Sequence, residues 1–213
     1  LTGATPTHHY DTAEMVDTVD QVTRLLGVPR FILGGNSMGG GISWNYAVDH
    51  PDRVQGLILL DAAGMPLAAG VKAEESNLAF RILRYPLGRW LSARITPRDL
   101  VAKSLRQSVA NPAIVDEAMV DRYWELLRFP GNREATGMRF AQSYRDPAAA
   151  ERVRAIRVPT LIIFGAEDKL IDPSAGTTFH ERIPGSQLLL LPHVGHLPME
   201  EAPDATAAAI RGF

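Results

Sequence analysis

A chain of 213 residues with 46% apolar and 22% charged side chains has the make-up of one globular domain with a sizeable core. Its formal charge of −2 comes from 22 basic and 24 acidic residues scattered along the sequence, without the basic stripe that binding a phosphate backbone requires, so no nucleic-acid partner is expected. The absence of cysteine removes disulfide scaffolds, thiolate metal sites and cysteine nucleophiles together, leaving serine, histidine and carboxylates to carry any chemistry.

The opening LTGATPTHHYDTAE has no positively charged start and no apolar stretch, so it is not a signal peptide, and a cytoplasmic location is the default. No apolar run approaches the ~20 residues of a bilayer span, and no membrane span is expected. Residues 1–9 read as a turn-rich loop. In YDTAEMVDTVDQVTRLLG, Met15, Val16, Val19, Val22, Leu25 and Leu26 recur at helical intervals, and Gly27 ends the helix. A short apolar strand over 30–35 runs into glycines and a second helix over 38–49, which Pro51 closes. Residues 54–61 are another buried-type strand, so strand, helix and strand form a βαβ unit and the sheet is parallel.

From about residue 62 to 145 the strand pattern gives way to helical segments punctuated by Pro66, Pro86, Pro97, Pro112 and Pro130. Alternation resumes with a strand over 158–165, a helix near 173–183, a strand over 186–191 and a last helix from about Pro203. The fold class is α/β with a mostly parallel sheet, its core of residues 1–61 and 146–213 split by a helical cap over 62–145.

Gly35-Asn36-Ser37-Met38-Gly39 fits G-x-S-x-G, where a tight strand-to-helix turn projects the serine hydroxyl above the sheet. Side chains at Gly35 and Gly39 would crowd that turn, while Gly40 and Gly41 let the helix approach its neighbours. The turn aims a helix N-terminus at Ser37, making the Met38 N–H an oxyanion donor. The plain alternative is a glycine-rich packing or phosphate turn, but GGNSMGG fails the G-x-G-x-x-G spacing and no Lys-Ser/Thr pair follows.

A serine hydroxyl needs a base. His8 and His9 precede the first helix, His50 ends the elbow helix and His180 lies inside a predicted helix, positions that suit surface or capping roles. His193 and His196 share the loop after the last strand; Gly195 favours His196, with His193 the alternative. For the acid that orients the base, Asp168 stands three residues past the strand ending at Gly165, on the same sheet edge as Ser37. Asp61, Asp172 and Glu167 are its rivals.

In this order, GNSMGG, DHPDRVQGLILLDAAG, PTLIIFGAEDKLID and LPHVGHLPMEEAP together resemble the serine-nucleophile, capped α/β-hydrolases. The resemblance implies a cap between the family's sixth and seventh strands, with Ser37 as nucleophile, Asp168 as acid, His196 as base and Met38 as the nearer oxyanion donor. The family carries earlier strands and a His-Gly oxyanion loop before the elbow. Nothing of that kind lies in the 36 residues before Ser37, so an N-terminal segment completing the sheet and the oxyanion hole is expected outside this chain. Asn36-Ser37-Met38 is similar to the elbow of meta-cleavage-product hydrolases, which cut carbon–carbon bonds. Those enzymes have tryptophan where Leu197 stands here; Arg122 is a candidate for their cap arginine, against the simpler reading of an exposed helix cation. Asn36 and Arg122 are therefore the substrate-binding candidates. Haloalkane dehalogenases and epoxide hydrolases, with aspartate in place of Ser37, are disfavoured.

These readings imply a hydrolase acting on a carboxylic ester or related acyl bond of a small, fairly apolar molecule, without cofactor or metal. The alternatives are a carbon–carbon bond hydrolase and a non-catalytic ligand-binding or receptor protein. Trp90, Tyr123, Trp124 and Phe129 are candidate lining or plain packing, and a homo-oligomer is left open.

Overall fold

The computed structural model describes residues 9–66, 83, 85–142 and 149–213. The expected loop over 1–8, with His8, lies outside the described residues, as do 67–82, 84 and 143–148 of the expected cap.

Helix α1 (Thr12–Leu25) starts at Asp11, whose carboxylate accepts the Glu14 N–H at 2.9 Å, and packs on α2 (Met38–Asp49). Around α2 run β1 (Phe31–Asn36) and β2 (Val54–Leu60). Four described helices follow: α3 (Pro86–Ser92), α4 (Arg98–Ser108), α5 (Glu117–Arg128) and α6 (Asn132–Gln142). The chain then returns through β3 (Thr160–Gly165), α7 (Ser174–Arg182), β4 (Gln187–Leu191), α8 (Pro198–Glu201) and α9 (Pro203–Gly212). No described helix is long and apolar enough to cross a membrane.

The sheet is parallel throughout, in the order β1-β2-β3-β4. All six residues of β3 are buried, as befits a central strand covered on both faces. Leu57, Leu59, Ile162 and Phe164 pack with Trp44, Tyr46 and Phe179 from the helices, each burial stabilising the fold by roughly 1.5–3 kcal/mol. Among the described residues β1 pairs with β2 alone, and Ile32 on it is 58% exposed.

Register then positions the site. Gly35 lies beside Leu59, Leu60 beside Ile163 and Gly165 beside Leu191, so all four strands end on one edge. The three described non-glycine residues with positive φ, Ser37 (54°), Asp61 (42°) and His193 (58°), all follow strands on that edge. Backbone strain of about 1–3 kcal/mol each is thus concentrated in one place. The helices between β2 and β3 have an apolar cluster of their own, Leu105, Val109, Met119 and Val120, into which Leu197 plugs from the loop after β4.

Candidate active site

Ser37 has φ 54° and ψ −117°, a conformation that only surrounding bonds can hold. Its N–H donates to Leu60 O at 2.9 Å, and its carbonyl accepts the N–H groups of Ala63 and Gly41 at 2.9 and 3.0 Å. A Cβ on Gly35 would stand 2.3 Å from the Gly39 carbonyl carbon, and one on Gly40 2.5 Å from the Ala62 Cβ. At Gly39 itself a Cβ would meet nothing within 4 Å, so the crowding expected there falls on Gly40, where α2 crosses the end of β2. Met38 opens α2; a first-turn N–H has no acceptor within its helix and sits at the positive end of the helix dipole.

His196 is 5% exposed and its Nδ1 lies 2.7 Å from Asp168 Oδ2. The other oxygen of Asp168 accepts the N–H groups of Leu170 and Ile171 at 2.7 and 3.1 Å, which fixes the carboxylate in its loop. A carboxylate facing Nδ1 holds the ring proton there and leaves the Nε2 lone pair as the base. The rivals are placed differently. The His193 side chain is 91% exposed and meets Glu167 Oε1 at 3.0 Å, while Asp172 caps α7 by accepting the Ser174 N–H at 2.9 Å. Asp61 is fully buried and accepts the Gly165 N–H at 2.8 Å; one oxygen of Asp61, one of Asp168 and a ring nitrogen of His196 lie within 4.8 Å of one another. These three form the only compact carboxylate–histidine group among the described residues that could hold a metal, and in it Asp61 Oδ1 and both oxygens of Asp168 already accept N–H groups.

Asn36 ties the elbow to the histidine loop: its amide donates to Leu60 O at 3.3 Å and to His196 O at 3.1 Å. Arg122 is on α5, partly exposed, with both Glu200 oxygens 2.9–3.0 Å from one guanidinium nitrogen.

Three contributors escaped the sequence. Glu201 gathers the N–H groups of Gly195 (2.9 Å), Leu197 (3.1 Å) and Ala110 (2.7 Å) on its carboxylate, bracketing His196 and binding its loop to the end of α4. Ser108 accepts the His196 N–H at 2.8 Å. Gly195 permits this approach, since a Cβ there would lie 2.7 Å from Ala110 N, and Gly165 does the same beneath the loop, where a Cβ would lie 2.0 Å from Gly195 O. Arg139 of α6 reaches the elbow, donating to Tyr10 O at 2.9 Å and contacting Met38 Sδ at 3.1 Å; its burial lowers the guanidinium pKa. The only signal for Glu201 was its place in LPHVGHLPMEEAP, because all its partners are backbone groups.

Trp90 and Phe129 line a hollow of about 610 Å³ among α3, α5 and α6, together with Arg89, Arg94, Arg128 and Arg133. Ser37, Asp168 and His196 do not line it. Trp124 instead donates to Thr96 O at 2.9 Å and is stacked by Arg128, while Tyr123 faces Glu200 at 3.4 Å.

A parallel sheet with a strained serine on one strand end, and a buried histidine–carboxylate pair beyond two others, describes the α/β-hydrolases. The chain belongs to that family: the model of the alpha/beta hydrolase fold matches residues 2–203. It is similar to a 2-hydroxymuconate semialdehyde hydrolase of Pseudomonas putida, at 29% identity over 96% of this chain and 69% of the relative. It is also similar to Lipase 3 of Moraxella sp., at 27% identity over 85% of this chain and 55% of the relative. Among solved structures, a thermophilic esterase from Thermogutta terrifontis superposes with a TM-score of 0.72 at 26% identity, covering 94% of this chain and 71% of that one. The chain spans 54–69% of the length of such curated relatives.

Proposed function

We propose that the protein is a serine hydrolase cleaving a carboxylic ester or related acyl bond of a small, fairly apolar molecule. The observation that carries this reading is the buried His196–Asp168 pair, 2.7 Å apart, tied through Asn36 to the turn that presents Ser37. The Ser37 hydroxyl attacks the carbonyl carbon while His196 Nε2 takes its proton; Asp168 holds Nδ1–H and stabilises the imidazolium. The Met38 N–H donates to the oxyanion, a contribution of order 10²–10³ in kcat per donor. His196 returns the proton to the leaving alkoxide, the acyl–Ser37 ester forms, and water activated by the same histidine releases the acid. Helices α3 to α6, between β2 and β3, act as the cap over the substrate.

Similarity to a lipase and an esterase supports ester cleavage; similarity to the muconate semialdehyde hydrolase supports the carbon–carbon alternative. Leu197 packed into the cap cluster and Arg122 paired with Glu200 favour the ester. A chromogenic ester panel on the full-length protein, with Ser37→Ala as control, gives a serine-dependent burst on this account. Turnover of a ring-fission dienoate but of no ester would move the assignment to carbon–carbon cleavage, and tight ligand binding with no turnover would make it a receptor.

A further inference from the structure

The mechanism leaves Asp61 without a task, although it is fully buried at the end of β2 beside the acid that serves His196. Its Oδ1 accepts the Gly165 N–H at 2.8 Å, while its Oδ2 is buried with no hydrogen-bond partner that an ionised carboxylate could use among the described residues. Asp168 is the opposite case: Leu170 N–H, Ile171 N–H and His196 Nδ1–H supply its two oxygens with three donors. Two ionised carboxylates at this spacing would repel each other in a site of low dielectric. One proton resolves both difficulties. On Asp61 it turns Oδ2 from an unsatisfied acceptor into a donor, with the Asp168 carboxylate beside Asp61 to receive it; on Asp168 it would cancel the charge that holds the imidazolium.

We propose that Asp61 is kept as a neutral carboxylic acid that donates a hydrogen bond to Asp168, a positioning residue that fixes the triad acid and tempers the charge it presents to His196. The inference rests on the triad reading for its catalytic meaning. The titratable groups facing Asp61 are Asp168 from the loop after β3, His196 from the loop after β4 and Glu201 from α8. Burial pushes the Asp61 carboxyl up to about 9 against the pull of the Gly165 N–H, and the charges of Asp168 and Glu201 push in the same direction as burial. With Asp61 neutral, the pair of acids presents His196 with one negative charge rather than two, and the donated hydrogen bond draws part of that charge away from Nδ1.

The test is NMR on the full chain, which needs no substrate and therefore stands apart from the ester assay. Aspartate carboxyl carbons are followed with pH, the Asp61 signal being identified by its loss in Asp61→Asn, and the ring signals of His196 are followed in the same samples. Asp61 is expected to be protonated at pH 7. In Asp61→Asn the amide can still accept from Gly165 and donate to Asp168, so the His196 pKa stays where it is. In Asp61→Ala the donor is gone, and the His196 pKa rises. An Asp61 carboxyl ionised at pH 7 overturns the proposal. So does a His196 pKa that falls in Asp61→Asn, the response to losing a neighbouring negative charge. If the NMR result holds while no ester is cleaved, the protonated pair stands and the esterase reading fails.

Discussion

Asn36 and His196 stand 160 positions apart in the sequence, and a hydrogen bond of 3.1 Å joins the amide of one to the carbonyl of the other. The turn that strains Ser37 and the loop that carries His196 are therefore located relative to each other by the side chain next to Ser37. Asn36→Ala removes this link together with the bond to Leu60, and about a tenfold fall in kcat is expected, with KM little changed, because what is lost is orientation rather than substrate contact. Steady-state kinetics on the responsive ester check it; a rise in KM at constant kcat would assign Asn36 to substrate binding instead.

Glu201 makes the corresponding prediction for the loop that carries His196. Its carboxylate accepts N–H groups on both sides of His196 and from Ala110, and charge-assisted bonds of this kind are worth roughly 1.5–3 kcal/mol each. Glu201→Gln sets an amide NH₂ against backbone donors, so both thermal stability and kcat fall, stability by at least about 2 kcal/mol in denaturant unfolding. Unchanged stability would show that the loop is held by other means.

Four glycines at the site separate into two kinds. Gly165→Ala and Gly40→Ala drive a methyl group to within 2.0 and 2.5 Å of other atoms, and each is expected to cost more than about 3 kcal/mol or to prevent folding. Gly39→Ala meets open space on a helix, where alanine is favoured over glycine by about 1 kcal/mol, and should be neutral or stabilising. Soluble yield and the urea midpoint distinguish the two kinds. The fourth, Gly35, belongs with the intolerant pair, its Cβ falling 2.3 Å from Gly39 backbone.

The buried proton on Asp61 also predicts how stability varies with pH. Its carboxyl rises from 3.8 in the unfolded chain to about 9 in the folded protein, so over that interval the native state binds a proton that the unfolded state has released. The stabilisation is complete below pH 4 and drains away as pH climbs towards 9. Asp61→Asn, which cannot ionise, should flatten the decline, and urea midpoints of both proteins between pH 5 and about 9 measure the difference. Parallel curves would mean that Asp61 is not buried as a neutral acid.

The elements around the elbow were legible because they rest on local signals: GNSMG between an apolar strand and a helix, Pro51 after the helix, alternating strands and helices after residue 158. Asp168 could be singled out by its distance from a strand end, but its separation from Asp61 depends on which carboxylate faces Nδ1, a tertiary fact. His193 and His196 differ by three positions and look alike as sequence; the fold turns one into solvent and buries the other. Gly39 and Gly40 are equally indistinguishable until α2 meets Ala62. Glu201 and Ser108 act on backbone groups, and Arg122 meets Glu200 across 78 positions of sequence, so no residue pattern announced these pairings.

Ser37 as an activated nucleophile is the central claim, and covalent labelling tests it most directly. Treating the full-length protein with a fluorophosphonate and reading the intact mass and the modified peptide should show one phosphonyl group per chain, on Ser37, lost in Ser37→Ala and strongly slowed in His196→Ala. No adduct on Ser37 under conditions that label a control serine hydrolase, or labelling undiminished in His196→Ala, would contradict the account.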